Sequence, residues 1–405
     1  MAVDLEIREI DFPAGATVVV QNSENQGYFY IVRSGILEID SEHRLTDKVL
    51  SRFGPGDSFG LVSGLTGKRF LVTIFASTPA KVARIPVRML GTFLEQQKPL
   101  AMKLVALYSR ELRALHSHLT KANAAADRDL HPRRLLDNAR TYSSWGKKEM
   151  AAYAAHRFIR WAEKEGEADA AAHGRAFLEQ LGSKYDGPAW TSNSQKLAAG
   201  EVVFAENEIS EEIYVVESGT VRLSQIVRGQ EFIIDVLEGG ELFGEMSLID
   251  RSPRMASAVV ELDAVVIRLH PETLLDGVGA RVMQKIFESL TRRIWFSHQR
   301  LVVLRIPDPI TRIYAFLHNL MRDEIIRRGR NAEQVMRESF TFEMNLAHLL
   351  KMSGILKLSD DSMKKLKEDS NVTFAADKIT VHDRKRLEEK VPYKTKTGQI
   401  SANMV

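Results

Sequence analysis

A carboxylate and a guanidinium stand nine positions apart at Glu245 and Arg254, on either side of a short apolar turn. They belong to the stretch GELFGEMSLIDRSPRMASAVV, which runs from Gly240 to Val260. Arginine is the best side-chain partner for an anionic phosphodiester, because its planar fork donates two parallel charge-assisted bonds. A carboxylate accepts a hydrogen bond from a hydroxyl. Gly244 is the residue expected where a ligand approaches the backbone. Gly244, Glu245, Met246 and Ser247 open the turn, and backbone N–H groups at a short helix start suit phosphate oxygens. Arg254 returns from the far side, with Met255 and Ala256 offering further N–H groups. A small anion with a hydroxyl at its other end fits this pattern. The competing expectation is a plain surface ion pair between Glu245 and Arg254.

The elements that must position these groups occur twice. YFYIVRSG (Tyr28 to Gly35) matches EIYVVESG (Glu212 to Gly219) at an offset of 184 residues. At the same offset Gly56, Phe59, Gly60 and Ser63 match Gly240, Phe243, Gly244 and Ser247, and AKVARI (Ala80 to Ile85) matches AVVIRL (Ala264 to Leu269). Such a repeat means two copies of one domain. Each copy alternates apolar and polar residues between turn glycines, with a strand pair expected on either side of the Ser-Gly step. Short strands with regular glycine turns suggest a β jelly roll or barrel. Each copy ends in apolar residues three and four apart, which predicts a helix from Lys98 to Leu119 and another from Ala280 to Leu304.

A cyclic nucleotide has both the phosphodiester and the free 2′-hydroxyl that the Glu–Arg spacing suits. Phe243-Gly244-Glu245-Met246-Ser247-Leu248-Ile249, followed by Pro253-Arg254-Met255-Ala256-Ser257, resembles the phosphate-binding cassette of cyclic-nucleotide-binding domains. That family includes Crp/Fnr transcription regulators and the regulatory subunits of cAMP-dependent protein kinase. The resemblance implies Glu245 on the ribose 2′-hydroxyl and Arg254 on the cyclic phosphate. Met255 stands where cGMP-selective members often carry Thr, which leans towards cAMP. The stretch RRIWFSHQRL (Arg292 to Leu301) is similar to the helix that contacts adenine in Crp-like members, with Ser297 and His298 at the contact positions. The first copy keeps the glycine turn but has Leu61 for the Glu and, without a gap, Phe70 for the Arg. It is therefore expected to be structural, with Gly64, Gly67, Lys68 and Arg69 left as a weak anion site.

The C-terminal part adds a third motif. IPDPITRIYAFLHNLMRDEI (Ile306 to Ile325) resembles the start of the Crp/Fnr DNA-binding domain. The following residues read as helix, a turn at Gly354, helix, then a hairpin with Lys378 to Asp383 as wing, a pattern similar to a winged helix-turn-helix. The resemblance places Lys357, Leu358 and Ser362 at base-reading positions, with Lys364 and Lys365 towards the backbone. Asp360 and Asp361 lie between them and would repel phosphates.

The organisation expected is α+β and multidomain. It comprises a degenerate cyclic-nucleotide-binding domain (1–122), an Ala-rich helical linker (123–185) and a working copy (186–303). A winged helix (304–395) and a tail (396–405) follow. The linker reads as two helices around Ser144–Gly146, closely packed through Ala151, Ala152, Ala155, Tyr142, His156 and Ile159, and loosely resembles one tetratricopeptide hairpin. The chain has 405 residues, 44% hydrophobic and 27% charged, with no cysteine and a net charge of +3. That suits a globular protein of a reducing cytoplasm, without disulfides or Cys-based metal sites. No membrane span, metal or cofactor is expected. Leu301 to Val405 carries +5 and the rest −2. No HExxH and no Gly-rich loop after a strand is present, a nucleophile elbow is not expected, and an enzyme is not expected. His43, His131 and His382 read as surface or loop residues. Two functions follow. The first is a cAMP-sensing, dimeric, double-stranded-DNA-binding regulator. The second is a nucleotide-sensing scaffold that meets a protein partner through the first barrel, the hairpin or the winged domain.

Overall fold

The computed structural model describes residues 7–40, 52–121, 130–245, 252–270, 280–327, 339–355 and 357–391. Strands β1 (Arg8–Phe12), β2 (Thr17–Val19), β3 (Tyr28–Ser34), β4 (Leu37–Asp40), β5 (Arg52–Phe53) and β6 (Ser58–Phe59) are followed by helix α1 (Leu61–Thr66). Then come β7 (Thr73–Ala76), β8 (Ala80–Pro86), α2 (Leu90–Gln96) and α3 (Lys98–Lys121). These strands form two antiparallel four-stranded sheets, ordered β1-β8-β3-β6 and β2-β7-β4-β5. Inward residues of both, among them Val32, Leu37, Ile74 and Val82, share one core. This is the first lobe.

Three helices follow: α4 (Leu135–Ser144), α5 (Lys148–Lys164) and α6 (Ala168–Leu181). The sequence pattern anticipated two, ending near Gly166. Gly166 instead takes a left-handed φ of +75°, and the chain turns into α6. The helices are more than a spacer. Tyr142, Tyr153, Ala155 and Phe158 share a core with Val202, Ala205 and Val259 of the second repeat. Tyr142 and Ser257 share a 2.7 Å hydrogen bond between their hydroxyls, and Trp145 Nε1 donates to Gly229 O at 3.1 Å.

The second lobe contains β9 (Ser194–Leu197), β10 (Val202–Phe204), β11 (Ile213–Val227), β12 (Gln230–Leu237), β13 (Leu242–Phe243) and β14 (Ser257–Leu269) in one six-stranded sheet. Here the expected two strands around Ser218-Gly219 are one continuous 15-residue strand, bent by register shifts against β14. Gly219 makes the bend possible: its φ is +79°, and a Cβ there would lie 2.1 Å from Asp263 O. Among the described residues every sheet is an open path, so the lobes are jelly-roll-type and neither closes into the barrel that the pattern suggested. Helix α7 (Ala280–Leu304) follows, with the expected bounds.

Contacts divide the chain into two compact units. One gathers both lobes and the central helices as far as Trp295; the other gathers Gln230–Ile233 and the chain from Phe296 onward, with His118–Ala125. In the second unit, α8 (Pro309–Arg327) precedes β15 (Phe340–Phe342), α9 (Leu346–Met352), α10 (Asp360–Lys367), β16 (Val372–Phe374), β17 (Ile379–Val381) and α11 (Arg384–Glu389). The expected hairpin is present, and β15, which the pattern had not indicated, adds a third strand on β17. Arg300 is buried, donating to Ile233 O at 2.8 Å and to Met352 O.

Candidate functional site

Gly244 sits at the end of β13 with φ +80°. A Cβ there would lie 2.8 Å from Arg254 Nη1 and 3.2 Å from Glu212 O, so both the backbone angle and the space demand glycine. Glu245, next in the chain, is 1% exposed. Its Oε1 is 3.3 Å from Nη1 of Arg293, on α7. Its Oε2 is buried with no hydrogen-bond partner among the described residues. Arg293 is itself anchored by Asp235 Oδ2 on β12 at 2.9 Å and by Leu242 O at 2.8 Å. The preceding Arg292 pairs with Glu241.

Arg254 is 3% exposed and faces different neighbours. Nη1 donates to Gly244 O at 2.5 Å, Nη2 to Glu212 O at 2.6 Å and Nε to Ser210 Oγ at 2.8 Å. The guanidinium lies 4.4 Å from the Phe204 ring centre. Its backbone is fixed by the Glu208 carbonyl and the Asn207 amide, both at 2.8 Å. Burial lowers the Arg254 pKa, against the pull of Tyr214, Glu208 and Glu212. The surface ion pair between Glu245 and Arg254 is therefore not the arrangement found: both are buried, and each has its own partners.

Met255 and Ala256 follow into β14, with Met255 O accepting from Gln225 Nε2 at 2.5 Å. Met246 and Ser247 lie outside the described residues. Ser297, buried, and His298, half-buried, stand further along α7 in the second compact unit. The residues that sequence reasoning missed are Arg293, Asp235, Glu212 and Ser210. A signal for two of them existed. Arg293 falls on the apolar face of α7 with Leu290 and Ile294, and Asp235 interrupts the apolar run FIIDVL.

The first lobe departs at each equivalent place. Leu61 is fully buried where Glu245 stands. Gly60 keeps the left-handed turn at φ +81°. Lys68 lies 4.3 Å from the centre of the Trp295 ring, and Arg69 donates to Asn22 O at 3.2 Å and pairs with Glu24. The cations of the suggested weak anion site are thus engaged with protein groups. Residues Gly56-Asp57-Ser58-Phe59-Gly60 spell the spacing of a nucleophile elbow, which corrects the expectation that the chain has none. Ser58 is 1% exposed within strand β6, opposite Ile31, rather than raised on a strand-to-helix turn.

In the C-terminal unit, Lys357 is exposed ahead of α10. Ser362 gives its backbone amide to the N-cap hydroxyl of Ser359 at 3.2 Å. Lys364 pairs with Glu368 at 3.9 Å and Lys365 with Asp361 at 2.7 Å. Tyr314 and Lys390 both reach Asp369. Among the described residues no cluster of His, Asp and Glu is placed to hold a metal, and no helix is long and apolar enough to cross a membrane.

Residues 9–97 and 194–278 match the family described as cyclic nucleotide-binding domain. The chain is 33% identical over 126 residues to the cyclic AMP receptor protein of Thermus thermophilus, which spans 30% of this chain and 58% of that protein. It is 26% identical over 112 residues to a CRP-like cAMP-activated global transcriptional regulator of Mycobacterium tuberculosis, spanning 27% and 50%. The matches thus span little more than half the length of these relatives. Among solved structures, a CRP-family transcriptional regulator of Thermus thermophilus is similar at 15% identity and TM-score 0.37, covering 48% of this chain and 95% of that one. The cAMP-bound regulatory domain of Toxoplasma gondii PKA is similar at 17% identity and TM-score 0.21, covering 70% and 86%. Two segments of the chain thus match the cyclic nucleotide-binding domain family, and the chain is similar in sequence to CRP-type regulators.

Proposed function

We propose that the chain is a cyclic-nucleotide-sensing regulator of the Crp/Fnr type, without catalytic activity, and that its ligand is cAMP held by the second lobe. One observation carries this reading: Glu245 is buried with one carboxylate oxygen unpartnered among the described residues and the other held by Arg293. A buried carboxylate oxygen without a donor costs about 1–3 kcal/mol, and a ribose hydroxyl supplies that donor. Arg254 then exchanges the neutral carbonyls of Gly244 and Glu212 for anionic phosphate oxygens, which adds charge–charge attraction to its hydrogen bonds. In this reading Met246, Ser247, Met255 and Ala256 belong by sequence to the phosphate motif, and Ser297 and His298 are the residues assigned to the base.

The relay runs through α7. The helix is continuous from Ala280 to Leu304 and carries Arg293 at the site and Arg300 in the next unit. A ligand hydroxyl on Oε2 draws on the same carboxylate charge and weakens one of the three bonds of Arg293, so its affinity differs between two positions of α7. In this reading the order of α9, α10 and the β16–β17 hairpin is that of a winged helix-turn-helix, acting on double-stranded DNA as a homodimer. Calorimetry with cAMP and cGMP on the full chain tests the ligand. Micromolar binding of cAMP that Arg254→Ala removes is expected; equal cAMP affinity in that variant overturns the site.

A second reading, a nucleotide-sensing scaffold for a protein partner, is favoured by α10 itself. Asp360 and Asp361 open the helix, and Lys364 and Lys365 are paired with Glu368 and Asp361. Duplex binding as a function of salt separates the two. Affinity that rises with cAMP and falls steeply between 50 and 200 mM salt, as expected when several phosphates are contacted, supports the regulator; no duplex binding at low salt leaves the scaffold.

A further inference from the structure

The first lobe grips α7 at two points. Tyr108 of α3 meets Phe287 edge to face, with ring centres 6.2 Å apart. Lys68, just beyond α1, sets its ammonium over the indole of Trp295 at 4.3 Å. Phe287 and Trp295 are eight residues apart, a little over two helical turns. Arg293, the residue that holds Glu245, lies between them. Both rings are buried, at 0% and 5% exposure. A cation over a desolvated indole face is a directional contact, so displacing Trp295 breaks it.

We propose that the first lobe is the built-in positioning partner of α7 and that Lys68 is a positioning residue for the nucleotide site in the second lobe. Lys68 binds Trp295 in the ligand-free arrangement, the one in which Arg293 occupies Glu245. It therefore favours the state in which Arg293 draws fully on that carboxylate, the state that a ligand hydroxyl on Oε2 weakens. The loss of Glu and Arg from the first cassette acquires a purpose on this view. Its lysine serves an aromatic side chain of the other copy instead of a phosphate. This inference rests on the proposed nucleotide site, and its test keeps the two separable.

The full chain is compared as wild type, Lys68→Gln and Lys68→Arg, with cAMP affinity by calorimetry and backbone hydrogen exchange of α7 without ligand. Lys68→Gln is expected to tighten cAMP binding about three- to tenfold, the factor that loss of one cation–π contact allows. It also speeds exchange of the Arg292–Trp295 amides at least about threefold, the same loss of one contact read through local opening. Lys68→Arg keeps the cation and retains wild-type values in both. Unchanged or weaker affinity in Lys68→Gln, when the wild type binds, overturns the inference and leaves the nucleotide site standing. If the wild type does not bind cAMP, the site reading fails, and unchanged exchange in Lys68→Gln overturns the inference separately.

Discussion

The two lobes share an offset of 184 residues and the same glycine turn, and they differ in what the following helix delivers to that turn. In the second lobe α7 brings Arg293, which pairs with Glu245 and Asp235. In the first, α3 brings Tyr108, at a position that the offset equates with Arg292. Its phenol is buried; burial and Glu111 push its pKa well up, against the Ser58 hydroxyl and the Leu61 backbone. An unpartnered carboxylate oxygen beside an ion pair leaves a place for a ligand hydroxyl. A phenol over a buried leucine leaves nothing for a hydroxyl or phosphate to replace. The lesson is that a repeat keeps its backbone through turn glycines while its chemistry is decided by two or three side chains.

Four experiments test that contrast. The largest effect is expected from Arg254→Ala, which should weaken cAMP binding at least about 30-fold, in line with 2–5 kcal/mol for a buried charged partner. Arg69→Ala in the first lobe should leave binding unchanged in the same titration. Leu61→Glu comes next. It places a carboxylate in a fully buried apolar position, and thermal melting should register a loss of about 3 kcal/mol or more without creating a second binding site.

Glu111 offers a pH test confined to the first lobe. Burial raises its pKa to about 7 from an ordinary value of 4.5. The folded state then binds the proton more tightly than the unfolded state. Stability is therefore highest below pH 4.5, falls as pH rises towards 7, and stays low above. Glu111→Gln should remove that slope in melting curves taken from pH 5 to 8, where the wild type loses at most about 3 kcal/mol. The smallest effect is the paired glycine test. Gly60→Ala and Gly244→Ala each force a side chain into the left-handed region and should each cost about 1–2 kcal/mol of stability. Only Gly244→Ala, whose Cβ meets Arg254 Nη1, should also weaken cAMP binding. Equal binding losses in the two would erase the distinction between the lobes.

Much of this was legible in the chain because it is local. The turn at Gly244, the Glu–Arg spacing, the bounds of α7 and the strand Ile379–Val381 follow from neighbours within a few residues. What escaped is long-range. Arg293 reaches Glu245 across 48 residues and Asp235 across 58. Nothing in the sequence near Glu245 announces either. The central helices escaped for the same reason. Their alanines signal close packing, but the identity of the opposing surface, Val202, Ala205 and Val259, lies far downstream. The continuous strand β11 was misread as two because the bulge at Gly219 carries the same Ser-Gly signature as the true break between β3 and β4.

The docking of the central helices has a consequence for how the chain is made. Tyr142 and Ser257, which share a hydrogen bond, are 115 residues apart. Helices α4 to α6 have short connections and can form as soon as they leave the ribosome. Their apolar face then waits for β14, which at about 5–20 residues per second arrives roughly 4–15 s later. During that interval Tyr142, Phe158 and their alanine neighbours are uncovered. A chaperone that samples nascent chains should therefore engage this protein once synthesis has passed Leu181 and release it after Val259.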